Sequence, residues 1–291
     1  MKKRIQKEAA AFILLLFGLF LFGCNKKEKD ITIYGGSLIK NNMMFTSRQD
    51  SALAYELPII SSVEITDFEV EEIHVSGVGE YDINVNSLTG GEIYNGWYYY
   101  FANLSVKVST DEPADFSIDS MDMLINGTSI NYVMEDMKFS NTKGHMGEQV
   151  IDNKSDFVYT GGTTALYQVI PSEKEDTECM SLEIQSDCVI TGFEALDYLE
   201  IKNLKVLVNG KATSIADGLP VHAGDIVDFS YNLGYKSGIH DWDLLKTTKL
   251  ISYTNTEGKQ CVFSDAQGFM IINYVNDNFI KDYIDNAFGD K

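Results

Sequence analysis

Two alternating segments that lie 83 residues apart constrain the fold more than any other feature of this chain. Residues 116–127 read FSIDSMDMLING, and residues 199–210 read LEIKNLKVLVNG. In both segments apolar and polar residues alternate with the period of a half-buried strand. Both segments also shift phase once, as a β-bulge does, and both end in the Asn-Gly pair that favours a type I′ hairpin turn. The pair therefore predicts two equivalent strand–hairpin elements.

The longest predicted strand runs from Trp97 to Thr110. Its even positions are apolar or aromatic from Tyr98 to Val108, so the even face is expected to contact a core. The odd face begins with three aromatic residues, Trp97, Tyr99 and Phe101. In a one-sided sheet the odd face meets water, so these rings require a cover or a ligand.

Three covers are expected for this aromatic face: the other module, the segment 31–61, or a neighbouring loop. Without a cover, the flat rings with polar tips predict a binding face for a glycan or a protein partner. The candidate site residues of that face are Trp97, Tyr99 and Phe101.

The N-terminus has the pattern of a bacterial export signal. Four basic residues, Lys2, Lys3, Arg4 and Lys7, precede an apolar run from Ala9 to Phe22. The run is too short to favour a permanent membrane span, and residues 1–23 are predicted to be a signal peptide. Leu21-Phe22-Gly23-Cys24 resembles the lipobox of bacterial lipoproteins, although that pattern favours a smaller residue than Phe22. The resemblance implies lipidation of Cys24; the alternative is an ordinary signal peptide.

The charge of the chain narrows the range of partners. Without residues 1–23 the chain holds 19 basic and 42 acidic residues, a formal net charge of −23. Nucleic-acid backbones require clustered Lys and Arg, so a nucleic-acid partner is not expected. Anionic lipid is also unfavourable for this surface, and a lipid on Cys24 would therefore provide the membrane attachment. The predicted location is the extracytoplasmic side of a bacterial cell membrane.

Three cysteines follow Cys24, namely Cys179, Cys188 and Cys261. An odd number leaves at least one of them unpaired within the chain. A disulfide between Cys188 and Cys261 and a set of three buried thiols both remain open.

Many short alternating segments, turn signals at roughly ten-residue spacing and few helical patterns predict a mainly β chain built from sandwiches. The predicted divisions are a signal peptide (1–23), a tether and lead-in (24–60), module 1 (61–172) and module 2 (173–291). A short helix is expected at 276–288, where apolar residues change to helical spacing.

Tyr100 to Gly127 (YFANLSVKVSTDEPADFSIDSMDMLING) resembles the secreted immunoglobulin-like domains of bacterial lipoproteins. Such domains show a long apolar strand, a polar Pro-containing turn and a strand that ends near a Gly hairpin. The resemblance implies two immunoglobulin-like β-sandwich modules and an extracytoplasmic setting. It implies no catalytic residue.

Motifs for catalysis and metal binding are sparse. The sequence lacks G-x-S-x-G, H-E-x-x-H, Walker A and EF-hand patterns. Ser140 and Lys143 match S-x-x-K, but they lie in a predicted polar loop without a K-T-G partner. The His240-Asp241-Trp242-Asp243 stretch offers an imidazole and carboxylates, yet a solvated acidic loop explains it more simply. We therefore expect no catalytic residue, no metal and no cofactor.

The sequence predicts a membrane-anchored extracytoplasmic lipoprotein that is not an enzyme and that serves as a binding or structural module of the bacterial envelope. The alternative is an envelope hydrolase, or an accessory subunit of an envelope enzyme, with carboxylates assembled only in the folded chain.

Overall fold

The strands of this chain are mostly the alternating segments seen in the sequence. The computed structural model describes residues 30–46, 52–152, 156–162, 178–240, 243–264 and 277–288. Cys24 and the predicted signal peptide lie outside these residues. The described strands are, in chain order, β1 (Ile33–Tyr34), β2 (Ile39–Phe45), β3 (Leu53–Ser61), β4 (Phe68–Val78), β5 (Tyr81–Tyr94), β6 (Trp97–Val108), β7 (Asp115–Ile125), β8 (Thr128–Val133), β9 (Asp136–Asn141), β10 (Ile151–Asp152), β11 (Phe157–Gly162), β12 (Glu178–Ile184), β13 (Cys188–Ala195), β14 (Leu199–Val208), β15 (Lys211–Thr213), β16 (Leu219–Val221), β17 (Ile226–Tyr235), β18 (Leu244–Thr247), β19 (Lys249–Asn255) and β20 (Gln260–Phe263). The described helices are α1 (Thr142–Met146) and α2 (Asp277–Phe288), with a 3₁₀ turn at Gly36–Leu38. The prediction of a mainly β chain is confirmed.

The described strands form four sheets, which we name A to D. Sheet A has the order β1-β3-β6-β5, and sheet B has the order β18-β2-β9-β7-β4, with β8 paired to β7. Sheet C has the order β10-β20-β19-β13-β16, and sheet D has the order β11-β12-β17-β14-β15. Pairing within the sheets is antiparallel except for β2 with β9, β18 with β2, and β10 with β20. The described residues from Ile33 onward belong to one compact unit.

Sheets A and B bury a shared core. The even positions of β6 are buried from Ala102 to Val108, as the alternation predicts. On β3, Tyr55 contacts Phe139 of β9 edge to face, with ring centroids 5.6 Å apart. The Tyr132 hydroxyl of β8 donates to the Pro58 carbonyl oxygen of β3 at 2.6 Å. Apolar burial from both sheets is the main force that holds these layers together.

Sheets C and D bury a second core. It is one cluster of buried side chains from both sheets, including Phe157, Phe229, Tyr231, Tyr253 and Phe263. Cys188 and Cys261 lie in the same cluster as two separate thiols, and the Cys179 thiol is exposed. The structure therefore has neither a Cys188–Cys261 disulfide nor three buried thiols, because two of the cysteines are buried and one is exposed.

Two strands cross between the predicted modules. β18, from residues 244–247, pairs with β2 in sheet B, and β10, from residues 151–152, pairs with β20 in sheet C. β1 to β3 come from the stretch predicted to be a tether and lead-in, and they form part of sheets A and B.

The boundary predicted between residues 172 and 173 lies outside the described residues.

The repeated segments form two hairpins of the same local geometry. Asn126-Gly127 and Asn209-Gly210 all have positive φ, between 49° and 79°, as a type I′ turn requires. Register shifts occur in the middle of β7 opposite β4 and in the middle of β14 opposite β17. The hairpins and bulges are thus confirmed. The connectivity is not equivalent, because β4 precedes β7 in the chain whereas β17 follows β14.

The predicted C-terminal helix is confirmed as α2, Asp277–Phe288. Its apolar stripe is seated on sheet A, where Ile280 and Ile284 are buried. Among the described residues, no helix has the length and apolar character needed to cross a membrane.

Candidate functional site

The aromatic face predicted on β6 exists, and helix α2 covers it. Tyr99 is 2% exposed, while Trp97 and Phe101 are half-buried. Phe288 of the helix stacks on Trp97 with ring centroids 4.7 Å apart and an interplanar angle of 28°. Tyr34 of β1 contacts both rings, at 5.5 Å from Trp97 and 4.7 Å from Phe288. We call the surface formed by Tyr34, Trp97, Tyr99 and Phe101 the aromatic cradle.

A polar contact fixes the helix at one end of the cradle. The Asp285 carboxylate accepts one hydrogen bond from the Tyr94 hydroxyl at 2.8 Å and another from the Asn95 side-chain amide at 2.7 Å. Asn95 has φ 46° in the turn between β5 and β6, which orients its side chain toward the helix. The hydrogen bond to Asp285 raises the pKa of the Tyr94 hydroxyl. Helix α2 is therefore held on the aromatic cradle by apolar contacts and by the hydrogen bonds to the Asp285 carboxylate.

Two of the three expected covers contribute, namely helix α2 from residues 173–291 and Tyr34 from the segment 31–61. In this structure the three predicted site residues do not form an open row, because α2 occupies the position where an external ligand would stack. A binding role for Trp97, Tyr99 and Phe101 would require departure of the helix.

A second group of side chains, not singled out from the sequence, lies on sheet B. We call Glu72, His74 and Asp122 the mixed cluster. Glu72 and His74 alternate on β4, and Asp122 lies opposite Glu72 on β7, on the face away from the buried Met121. The potential ligand atoms of the three side chains all lie within 4.8 Å of one another. This is the group among the described residues with the composition to hold a metal ion.

The hydrogen bonds of the mixed cluster set its charges. His74 Nε2 lies 2.8 Å from Asp122 Oδ2, and His74 Nδ1 lies 3.9 Å from Glu72 Oε1. The Asn131 amide donates to the other Asp122 oxygen at 2.7 Å. The hydrogen bond with Asp122 raises the pKa of His74, and the bonds from Asn131 and His74 lower the pKa of Asp122. Asp122 is thus an anion near neutral pH and suits cation binding better than proton donation.

A buried amine lies between sheets A and B. Lys246 of β18 is 7% exposed, its Nζ donates to the Ala54 carbonyl oxygen at 2.6 Å, and it lies 3.6 Å from the centroid of the Tyr55 ring. Burial lowers the pKa of Lys246 to about 7. The Tyr55 ring closes over the amine, so the group affects the pH dependence of stability rather than substrate chemistry.

The remaining motif residues are placed without forming a reactive group. The Lys143 ammonium group donates a hydrogen bond to the Asp111 carbonyl oxygen. Ser140, the other residue of the S-x-x-K match, lies near the end of β9. Asp243 is buried and accepts from the His240 backbone amide at 2.7 Å, and burial raises the pKa of Asp243. Residues 241 and 242 lie outside the described residues.

Comparisons with known proteins do not assign a family. No family model matches the chain, and none of the curated proteins is similar to it. The secreted serine protease VesC from Vibrio cholerae is 8% identical, with 75% of this chain and 54% of that chain covered and a TM-score of 0.22. A β-glycosidase from Bacteroides vulgatus is 6% identical, with 80% and 24% covered and a TM-score of 0.23. The adhesin InvE from Yersinia pseudotuberculosis is 11% identical, with 84% and 63% covered and a TM-score of 0.20. This chain thus spans about half the length of the VesC chain and about a quarter of the glycosidase chain. TM-scores this low assign neither a fold family nor an activity.

Proposed function

We propose that this chain is a membrane-anchored, extracytoplasmic lipoprotein that serves as a non-catalytic binding or structural module of the bacterial envelope. The observation that carries the proposal is the N-terminal sequence, in which a basic start and a short apolar run lead to Leu21-Phe22-Gly23-Cys24. A diacylglyceryl group on Cys24 would hold the chain at the membrane. The finer fold proposed is two immunoglobulin-like β-sandwich modules, one from sheets A and B and one from sheets C and D.

The folded part supports a binding or structural role in two respects. The cores lie between paired sheets, and the hairpin tips at Asn126-Gly127 and Asn209-Gly210 are exposed and available to partners. Hydrogen bonds lower the pKa of Asp122, which lies on an open strand face. A carboxylic acid that donates a proton in catalysis would instead need a raised pKa. A glycan or a protein of the envelope remains the proposed partner class.

The test is the chemistry of the mature N-terminus. The full chain is expressed in a bacterial host, and the membrane fraction is analysed by mass spectrometry of the N-terminal peptide. The proposal expects a diacylglyceryl cysteine at position 24. The variant Cys24→Ala should leave the membrane fraction or accumulate unprocessed, whereas the control Cys179→Ala, which removes an exposed thiol, should remain attached. An unmodified N-terminus at another residue would overturn the proposed anchor.

A further inference from the structure

We propose that Glu72, His74 and Asp122 form a surface site for a divalent transition-metal cation, with Zn²⁺ as the probe ion. The site is independent of the lipid anchor and of the aromatic cradle. It lies on β4 and β7 of sheet B, whereas the cradle lies on sheet A.

The ligand types fit such an ion. Zn²⁺ binds histidine nitrogen and carboxylate oxygen at about 2.0–2.2 Å, and three protein ligands with one open position are a common arrangement. A tetrahedral ion of that size holds its ligand atoms about 3.4 Å apart. One nitrogen of His74 and one carboxylate oxygen from each of Glu72 and Asp122 all lie within 4.8 Å of one another, so these three atoms need to move only a short distance to reach this spacing. Small rotations of the side chains therefore bring one nitrogen and two oxygens around a shared ion.

The backbone holds the three side chains in a defined arrangement. Glu72 pairs with Asp122 in register, and His74 follows two residues later on the same strand face. Register shifts flank this short regular stretch, one between Val70 and Glu72 and one between His74 and Val75. Bulges of this kind turn side chains to new directions and fix the local register.

A further residue orients one of the ligands. The Asn131 amide on β8 donates to Asp122 Oδ1 at 2.7 Å and leaves Oδ2 directed at His74. Amide or carbonyl partners of this kind hold metal-binding side chains in place, and their loss typically costs about 10-fold to 100-fold in metal affinity. Asn131 is thus the positioning residue of the proposed site.

The surrounding charge favours a cation. The full chain carries a formal net charge of −20. The negative potential of Asp119, which lies close enough to affect His74, adds to that of the two ligand carboxylates. A divalent cation at this position would reduce the electrostatic repulsion among the two ligand carboxylates and the neighbouring acidic groups.

The experiment is a calorimetric titration of Zn²⁺ into the full chain, purified without a histidine tag and treated with a chelator. The background variant Cys179→Ser removes the exposed thiol, which would otherwise bind zinc. We expect saturable binding of one ion, with a Tm that rises on zinc addition. His74→Gln and Asp122→Asn should each weaken binding by about 100-fold or abolish it, and Asn131→Ala should weaken it by about 10-fold.

The chain offers a matched control. His222 Nδ1 lies 3.5 Å from Asp187 Oδ2, and both side chains are exposed. Among the described residues, this pair has no third ligand group close enough to complete a metal site. His222→Gln should leave zinc affinity unchanged. Absence of saturable binding, or binding that His74→Gln and Asp122→Asn leave unchanged, would overturn the proposed site, as would an equal loss in His222→Gln. Circular dichroism and zinc-free Tm values show that each variant is folded. The imidazole NMR signals of His74 provide a second readout of zinc binding in the parent and in the variants that keep His74.

Discussion

Phe288 of helix α2 stacks on Trp97 of strand β6, with ring centroids 4.7 Å apart. This contact joins the C-terminal end of the described chain to the outer face of sheet A. The helix buries Ile280 and Ile284 against the same surface, which also includes Leu38, Ile60 and Leu244. The aromatic cradle is therefore part of the folded core, and its exposure depends on the free energy of helix docking.

The first prediction concerns that docking free energy. Ile284→Ala should reduce the free energy of unfolding, or of local helix release, by about 2–4 kcal/mol, because Ile284 is 1% exposed and its loss leaves a cavity. Trp97 emission should shift to longer wavelength as the ring meets water. The measurement uses a Trp242→Phe background, in which Trp97 is the remaining tryptophan of the two in the sequence. The exposed Asn286→Ala is the control, and an unchanged Trp97 spectrum in Ile284→Ala would contradict the account.

The second prediction concerns the polar contact of the same helix. Asp285→Asn removes the carboxylate that the Tyr94 hydroxyl donates to, so the pKa of Tyr94 should fall toward its ordinary value. The titration is followed by the ring resonances of Tyr94 in NMR spectra. Asp282→Asn, a change one helical turn earlier on an exposed residue, should have a smaller effect. Equal shifts in both variants would show that long-range charge, rather than the hydrogen bond, controls Tyr94.

The third prediction concerns the hairpin asparagines. Asn126 Oδ1 accepts from the backbone amides of Thr66 and Asp67, and its amide donates to the Glu64 carbonyl oxygen. Asn126→Ala should destabilise the chain by about 1–3 kcal/mol, because it removes these bonds and because alanine tolerates the left-handed backbone at φ 50° less well than asparagine. Asn126→Gly removes the bonds but tolerates the positive φ, so it should cost less. Thermal and urea unfolding measure both variants, and equal losses would exclude a contribution from backbone strain.

Much of the local structure was predictable from the sequence because it depends on neighbouring residues. The alternation at 97–110, the Asn-Gly turns and the phase shift in 116–127 each report a local backbone preference, and all appear in the structure. Asn209 repeats the role of Asn126 by accepting from the Ile226 amide at 2.9 Å at the start of β17. The order of partner strands in the chain was not predictable, since period-2 alternation does not specify which strand lies alongside.

The sites depend on long-range pairing and were harder to predict. His74 and Asp122 are 48 residues apart and meet only through the register of β4 and β7. A histidine and an acidic residue at alternate positions of a predicted strand, as in Glu72-x-His74, was the available signal. The sequence did not predict which segment would cover the aromatic cradle, because that contact is also long-range. The three aromatic residues on the odd face of β6 did indicate that a cover or a ligand was needed, and α2 packs on them.

The last prediction concerns the pH dependence of stability through Lys246. Burial lowers the pKa of Lys246 to about 7 in the folded chain, against an ordinary value of 10.5 in the unfolded chain. Between these values the unfolded chain binds one more proton, so Lys246 makes stability rise with pH across this window. The slope from this group approaches about 1.4 kcal/mol per pH unit near the middle of the window, and below pH 7 both states are protonated and the slope disappears.

Lys246→Met tests this sign, because it keeps the apolar stem against Tyr55 and removes the titrating amine. Urea unfolding of the parent and the variant is compared at a series of pH values from 6 to 10, and the difference between them isolates Lys246 from the tyrosines that titrate in the same range. The variant should be more stable than the parent near neutral pH, with the advantage shrinking as pH rises. Lys202→Met, at an exposed lysine, should show no such trend. A difference that is constant with pH would mean that the Lys246 amine is solvated and charged in the folded chain.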